Sequence, residues 1–184
     1  MVIVFIGPPG SGKGTQAQIL KENLLPNLHL LTVSSLLKEK SDDGSVLGND
    51  IKKKMDGGDL IEDSIVISVL KEKIEILNNE QILIDGFPRS SIQAESLKDI
   101  FNNSKVYIIN FLVSDKQLLE RIKKRSLEES RADDSVFDKR LGIYKKSHDE
   151  ILASLNKNYD VIDIEANDEI SSISSKIAEK LGLN

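Results

Sequence analysis

The chain reads as an α/β domain: a doubly wound, mainly parallel sheet of five strands with a phosphate-binding loop after the first strand. Three observations predict this. Residues Val2 to Ile6 form an unbroken apolar run, rich in β-branched side chains and ending at Gly7, the pattern of a strand buried on both faces. The stretch Gly7-Pro-Pro-Gly-Ser-Gly-Lys13 fits G-x-x-x-x-G-K, in which residues without side chains let successive backbone N–H groups close round a phosphate while the lysine reaches its outer oxygens. Beyond it, short apolar runs alternate with segments of helical period to the end of the chain.

Composition agrees with one compact domain. At 184 residues, 39% hydrophobic and 30% charged, the chain is long enough and ordinary enough to bury a single core. A net charge of -5 opposes loose binding to nucleic acid or to an anionic membrane, so phosphate binding has to come from cations placed locally. Without cysteine there is no disulfide framework and no thiolate zinc site. No apolar stretch approaches the roughly 18 residues of a membrane span, and Met1-Val2-Ile3 opens into the strand without a basic leader; a cytoplasmic protein is the expectation.

Taken in order, a helix starts near Gly14, so its positive end points at the anion held by the loop. Ala17, Leu20 and Leu24 give it one apolar stripe, and Pro26 stops it. Leu28 to Val33 is the second strand. Ser34 or Ser35 then caps a short helix, Asp42-Asp43-Gly44-Ser45 makes a turn, and a further helix runs through Met55 to Gly57-Gly58. Asp63 caps the next helix, whose Ile65, Val66, Val69, Leu70, Ile74 and Leu77 recur at three and four.

Gln81 to Asp85 is the third strand. The carboxyl ends of the strands line the ligand crevice of an open α/β sheet, which puts Asp85 on the same rim as the phosphate loop. The residue after Lys13 is usually the Ser or Thr that holds Mg²⁺; here it is Gly14, with Thr15 one place late. Asp85 is therefore the natural holder of magnesium-bound water. Arg89 follows where the loop turns into the next helix, and its forked donors suit a phosphate. Ser90-Ser-Ile-Gln93 is a capping box, so Gln93 either reaches back to the helix start or reads a base.

Lys105 to Val113 is the fourth strand, followed by a second capping box, Ser114 to Gln117, and a helix with Leu118, Leu119 and Ile122 turned inward. Arg121 and Arg125 share a face of that helix. With Arg131 and Arg140 they place four arginines around one short connection on the phosphate-binding rim. Asp133-Asp134 precede a helix beginning near Ser135 with Phe137, Leu141, Tyr144, Ile151 and Leu155 in one stripe. Tyr159 to Ile164 is the fifth strand, and a terminal helix follows a cap at Asn167 or Asp168. His29 and His148 have no ligand-like neighbours and read as structural or exposed.

The loop Gly7-Pro-Pro-Gly-Ser-Gly-Lys-Gly-Thr-Gln16, the segments Met55 to Asp63 and Leu83-Ile-Asp-Gly-Phe-Pro-Arg89 with Gln93-Ala94, and Arg131-Ala-Asp-Asp134 ahead of Arg140-Leu-Gly-Ile-Tyr144 together resemble the adenylate kinases along the whole chain. The resemblance implies a Mg²⁺-dependent, reversible transfer of the terminal phosphoryl group of ATP to AMP, giving two ADP. By the same resemblance, Gly10, Ser11, Gly12, Lys13, Gly14 and Thr15 hold the ATP phosphates, and Arg121 and Ala166 lie near its base. Val33, Lys38, Asp59, Leu60, Ile61, the Gly86-Phe87-Pro88-Arg89 turn and Gln93 line the AMP site. Arg125, Arg131 and Arg140 surround the transferring group, Arg125 from the ATP side, Arg131 and Arg140 from the AMP side. A core of residues 1–30, 64–125 and 135–184, an acceptor-binding excursion at 31–63 and a short lid at 126–134 are implied, with no structural zinc and a monomer as the expected state.

Two departures stand out. Where the family usually reads Ser-Thr-Gly-Asp-x-Leu-Arg, this chain has Thr32-Val-Ser-Ser-Leu-Leu-Lys38, so Val33 brings no hydroxyl and Lys38 no guanidinium fork. The interval from Asp134 to Arg140 is about two residues shorter than usual. A kinase for UMP, CMP or another monophosphate, and a nucleotide-binding protein with an impaired acceptor site, therefore remain beside the leading reading.

Overall fold

A computed structural model describes residues 1–57, 59, 61–77, 80–102, 104–128 and 137–183, with 124–128 described as backbone. Strand β1 (Val2–Ile6) is buried at every position and forms the middle of the sheet. Around it lie β2 (His29–Thr32), β3 (Ile82–Asp85), β4 (Val106–Leu112) and β5 (Val161–Glu165), in the order β2-β3-β1-β4-β5 and all parallel. The chain fills one side of β1 first and then crosses to the other. The reversal of direction leaves a crevice at the carboxyl end of β1, the place where such sheets bind ligands.

Side chains that alternate along each strand build two cores. Val2, Val4, Ile6, Ile82, Ile84 and Ile108 face one way, toward α2 (Val33–Ser41), α4 (Asp63–Leu77), α5 (Ser91–Ile100) and α7 (Phe137–Leu155). Ile3, Phe5, Leu83, Ile109, Phe111 and Ile164 face the other way, toward α1 (Lys13–Asn23) and α8 (Ile170–Leu181). Phe5 and Phe111 meet edge to face there, with ring centres 4.9 Å apart. Two helices complete the described residues: α3 (Val46–Asp56), and α6 (Asp115–Glu128) after β4. The helices α2 and α3 stand between β2 and α4, off the carboxyl rim.

Several local expectations need correction. The first helix ends at Asn23, so Leu24 lies beyond it and is exposed, while Leu25 takes the buried place. Strand β2 runs straight into α2, whose cap residue is Thr32; Ser34 and Ser35 are exposed within its first turn. Leu119 points to solvent because Leu118 and Ile122, four apart, already fill the inner face of α6. Glu169 stands at the cap of α8. The Asn167 carboxamide oxygen instead accepts from the Ser114 N–H at 3.0 Å, and Asp168 pairs with Lys176. By contrast, Ser45 caps α3 through the Gly48 N–H at 2.9 Å. Neither histidine has a ligand-like setting: His29 pairs with Glu80, and His148 packs on the Tyr144 ring at 4.7 Å. No described helix is long and apolar enough to cross a membrane.

Candidate active site

The phosphate loop leaves β1 at Gly7, where φ is +145° and a Cβ would lie 2.9 Å from the Phe111 Cβ. Only glycine fits that approach between two strands. The loop ends at Gly12, also left-handed, which stands at the cap of α1. The first N–H groups of α1 therefore open onto the loop with no acidic residue in the first turn to neutralise them.

Lys13 turns back over this loop. Its ammonium donates to the carbonyls of Gly7 and Pro8, each at 2.9 Å, and to the Ser11 hydroxyl at 3.3 Å. Burial pulls its pKa down to about 8; the Asp85 carboxylate works against that fall, and the charges of Arg89 and Arg140 add to it. Asp85 ends β3, level with Phe5 and Thr32 on the neighbouring strands. A Cβ on Gly14 would meet its Oδ2 at 3.9 Å, an ordinary contact distance, so this carboxylate lies beside the start of α1.

Arg89 follows the turn after β3. Its Nε donates to the Gly86 carbonyl at 2.9 Å, and the guanidinium lies over Gly86, where a Cβ would touch Nη2 at 3.0 Å. Burial first, and then Arg140, lower its pKa, with Asp85 opposing. Phe87 and Pro88 are buried beneath this turn. Lys13, Arg89 and Arg140 thus form a cluster of like charge, in which Arg89 and Arg140 weaken the hold of Lys13 on its proton and Arg140 weakens that of Arg89. An anion bound among them relieves that repulsion.

Beside the cluster opens a cavity of about 360 Å³, lined by Lys54, Asp59, Ile61, Glu62, Asp63, Arg89, Ser90 and Gln93. Its size suits a small ligand. Gln93 is buried in its wall, and the capping box forms: the Ser90 hydroxyl accepts from the Gln93 N–H at 3.1 Å, while the Gln93 Oε1 accepts from the Arg89 N–H at 2.8 Å. Asp59 of this lining accepts from Lys139, in the first turn of α7, at 2.8 Å, and the same ammonium donates to the Gly57 carbonyl at 3.0 Å. The same helix carries Arg140.

On the other side of the loop, Arg121 on α6 spans two segments, donating from Nη1 to the Ser11 carbonyl at 3.1 Å and from Nη2 to the Ala166 carbonyl at 2.6 Å. Gln16, buried in α1, reinforces the same wall. Its Nε2 donates to the Ile170 carbonyl at 3.0 Å, and its Oε1 accepts from Ser174 at 2.6 Å.

The structure therefore brings Lys13, Asp85, Arg89 and Arg140 together, with Gln93, Asp59 and Ile61 round the adjacent cavity. Val33 is buried in the core at the start of α2 and Lys38 is exposed one turn on; neither lines that cavity. The Arg125 side chain, Arg131, Leu60 and residues 129–134 of the expected lid lie outside what is described, while the backbone of 126–128 continues α6. Sequence reading missed Lys54, Glu62 and Lys139 and took Asp63 only as a helix cap. Their roles arise from pairings across the chain that leave no local pattern.

Among the described residues, no group of three or more His, Asp or Glu is placed to hold a metal ion. Asp85, at the end of β3 beside the start of α1, offers the single carboxylate that magnesium carried mainly by phosphate and water would need.

A sequence model of the adenylate kinase family matches residues 5–160. An adenylate kinase of Prochlorococcus marinus is 36% identical over 186 residues, covering 98% of this chain and 98% of that protein. One from Leptospira biflexa is 35% identical over 137 residues, covering 72% of this chain and 73% of that protein. One from Borrelia recurrentis is 40% identical over 131 residues, which make up 71% of this chain and 59% of that protein.

Proposed function

This chain belongs to the adenylate kinase family, and we propose that its own residues carry the reversible transfer of the terminal phosphoryl group from ATP to AMP in the following way. The Gly10 to Thr15 loop, the α1 N-terminus and Lys13 hold the ATP phosphates. Arg121 and Ala166 border the ATP base. AMP occupies the cavity of about 360 Å³, with its phosphate on Arg89, which the Gly86-Phe87-Pro88 turn carries, and its base toward Gln93, Asp59, Leu60 and Ile61.

The observation that carries this reading is the position of Arg89. It lines the acceptor cavity and is close enough to Arg140 and Asp85, the same groups that act on Lys13, to feel both charges. One guanidinium thus joins the donor loop to the acceptor pocket. The acceptor oxygen of AMP is already ionised at neutral pH, so the reaction needs no general base. What it needs is in-line placement of the two phosphates and positive charge around the moving group, supplied by Lys13, Arg89, Arg140, Arg125 of α6 and Arg131 beyond it in the chain. Magnesium bound with ATP would neutralise further charge, with Asp85 holding it through water. Residues 126–134 act as the lid and 31–63 as the acceptor-binding excursion; closing them excludes water, which would otherwise compete as acceptor.

A kinase for UMP or CMP, or a binder with an impaired acceptor site, is not favoured, because the family match and the relatives quoted above all bear the adenylate kinase name. We further propose that the protein works as a cytoplasmic monomer without nucleic-acid or membrane partners. Arg89→Ala tests the assignment. AMP binding and transfer should both be lost while ATP binding persists; a variant that keeps wild-type AMP affinity would place the acceptor elsewhere.

A further inference from the structure

The Gln93 carboxamide is held at both ends. Its Oε1 accepts from the Arg89 backbone N–H at 2.8 Å, and its Nε2 donates to the Asp63 Oδ1 at 2.7 Å. A carboxamide normally turns over easily, because exchanging oxygen and nitrogen changes its shape very little. Here the exchange would set Oε1 against a carboxylate oxygen, which accepts only, and Nε2 against a backbone N–H, which donates only. Two hydrogen bonds would become two repulsive contacts in the wall of a cavity where Gln93 is 3% exposed.

We propose that Asp63 is a specificity-determining positioning residue: by fixing which end of Gln93 is oxygen and which is nitrogen, it makes the acceptor site read a 6-amino purine and reject a 6-oxo purine. The inference rests on the reading that the acceptor base lies at Gln93. After its two fixed bonds, the amide keeps one N–H and one oxygen lone pair for a ligand. Adenine offers an amino donor beside a ring-nitrogen acceptor on its Watson–Crick edge, which matches an amide oxygen beside an amide N–H. A 6-oxo purine offers the reverse, an oxygen acceptor beside a ring N–H, and would need the amide turned over. With Asp63 and the Arg89 N–H both opposing that turn, the 6-oxo purine meets either a mismatched amide or a broken wall. Asp63 lines the same cavity, but its effect on the choice of base is indirect. It acts through Gln93 from the first turn of α4, an element that the acceptor excursion leads into.

The test compares AMP with IMP, which differs at the 6-position without adding the guanine 2-amino group, as acceptors for ATP. Asp63→Asn keeps shape and replaces an acceptor-only group with one that can pair with either end of Gln93. The ratio of kcat/KM for AMP over IMP should fall about tenfold, the change one misplaced hydrogen bond produces, chiefly through KM, with kcat at saturating AMP nearly preserved. A general loss of structure would lower both nucleotides together and leave the ratio alone. Gln93→Ala is measured beside it. If that variant lowers the ratio and Asp63→Asn does not, the orienting role is overturned while the base still lies at Gln93. If Gln93→Ala changes neither the ratio nor KM for AMP, the base lies elsewhere and both readings fall.

Discussion

Raising the pH from 7 to 9 should weaken ATP binding through Lys13 alone. The Lys13 ammonium sits among the carbonyls of its own loop, and burial brings its pKa down to about 8. About nine-tenths of the free molecules then carry the charge at pH 7 and about one-tenth at pH 9, so affinity that depends on the ammonium falls by roughly tenfold, about 1.4 kcal/mol. At pH 8, where half the molecules are neutral, bound phosphate restores the charge and about half a proton is taken up per ATP. Titration calorimetry at pH 7, 8 and 9, in two buffers of different ionisation heat, measures both quantities. AMP is the control, because its proposed contact is a guanidinium that does not titrate in this range. A flat ATP affinity with no proton uptake would refute the placement of Lys13. For stability the sign runs opposite to that of a lysine gaining a partner. Between about 8 and its ordinary 10.5 the unfolded chain binds more protons at this group, so its contribution rises with pH, and at neutral pH carrying the charge costs the fold about 3 kcal/mol relative to the uncharged amine. Lys13→Met should accordingly abolish transfer without lowering the melting temperature at pH 7.

Two other substitutions probe the rim. Asp85→Asn keeps the shape at the end of β3 but removes its charge, and kcat measured at saturating Mg²⁺ should drop at least about tenfold, about 1.4 kcal/mol of barrier; an unchanged rate would make Asp85 a strand end and nothing more. Arg121→Ala removes the hydrogen bonds that its guanidinium donates to the Ser11 and Ala166 carbonyls, so KM for ATP should rise about tenfold with KM for AMP unchanged, in steady-state kinetics with each nucleotide varied in turn.

The parts of this fold that sequence reading recovered are those fixed by local chemistry. An apolar run buried on both faces could only be a central strand, and β1 has the bounds predicted for it. Ser90 caps because it lies beside free helical N–H groups, and Gln93 reaches back toward the helix start as read, although to the Arg89 N–H one residue earlier than the cap. Misreadings came where a tertiary partner outbid a local one. Asn167 and Asp168 look like caps, but Ser114 and Lys176 engage them first. Two serines suggested the start of α2, yet the strand before it runs on without a loop and Val33 is drawn into the core. The Lys13, Arg89 and Arg140 cluster was legible as residue types near one rim. The Lys139 pair with Asp59 and the Asp63 hold on Gln93 were not, since 80 and 30 residues separate the partners and only the folded sheet brings them together.

The most direct test of the account is a coupled assay of ADP formation by the purified chain, with ATP and Mg²⁺ fixed and AMP, UMP, CMP and GMP offered in turn. The proposed acceptor cavity, with Arg89 on the phosphate and an oriented Gln93 toward the base, predicts rapid turnover with AMP, two ADP formed for each AMP consumed, and kcat/KM at least about tenfold lower for each of the others. Equal or faster turnover with UMP, CMP or GMP, or ATP binding without transfer to any of the four, would contradict it.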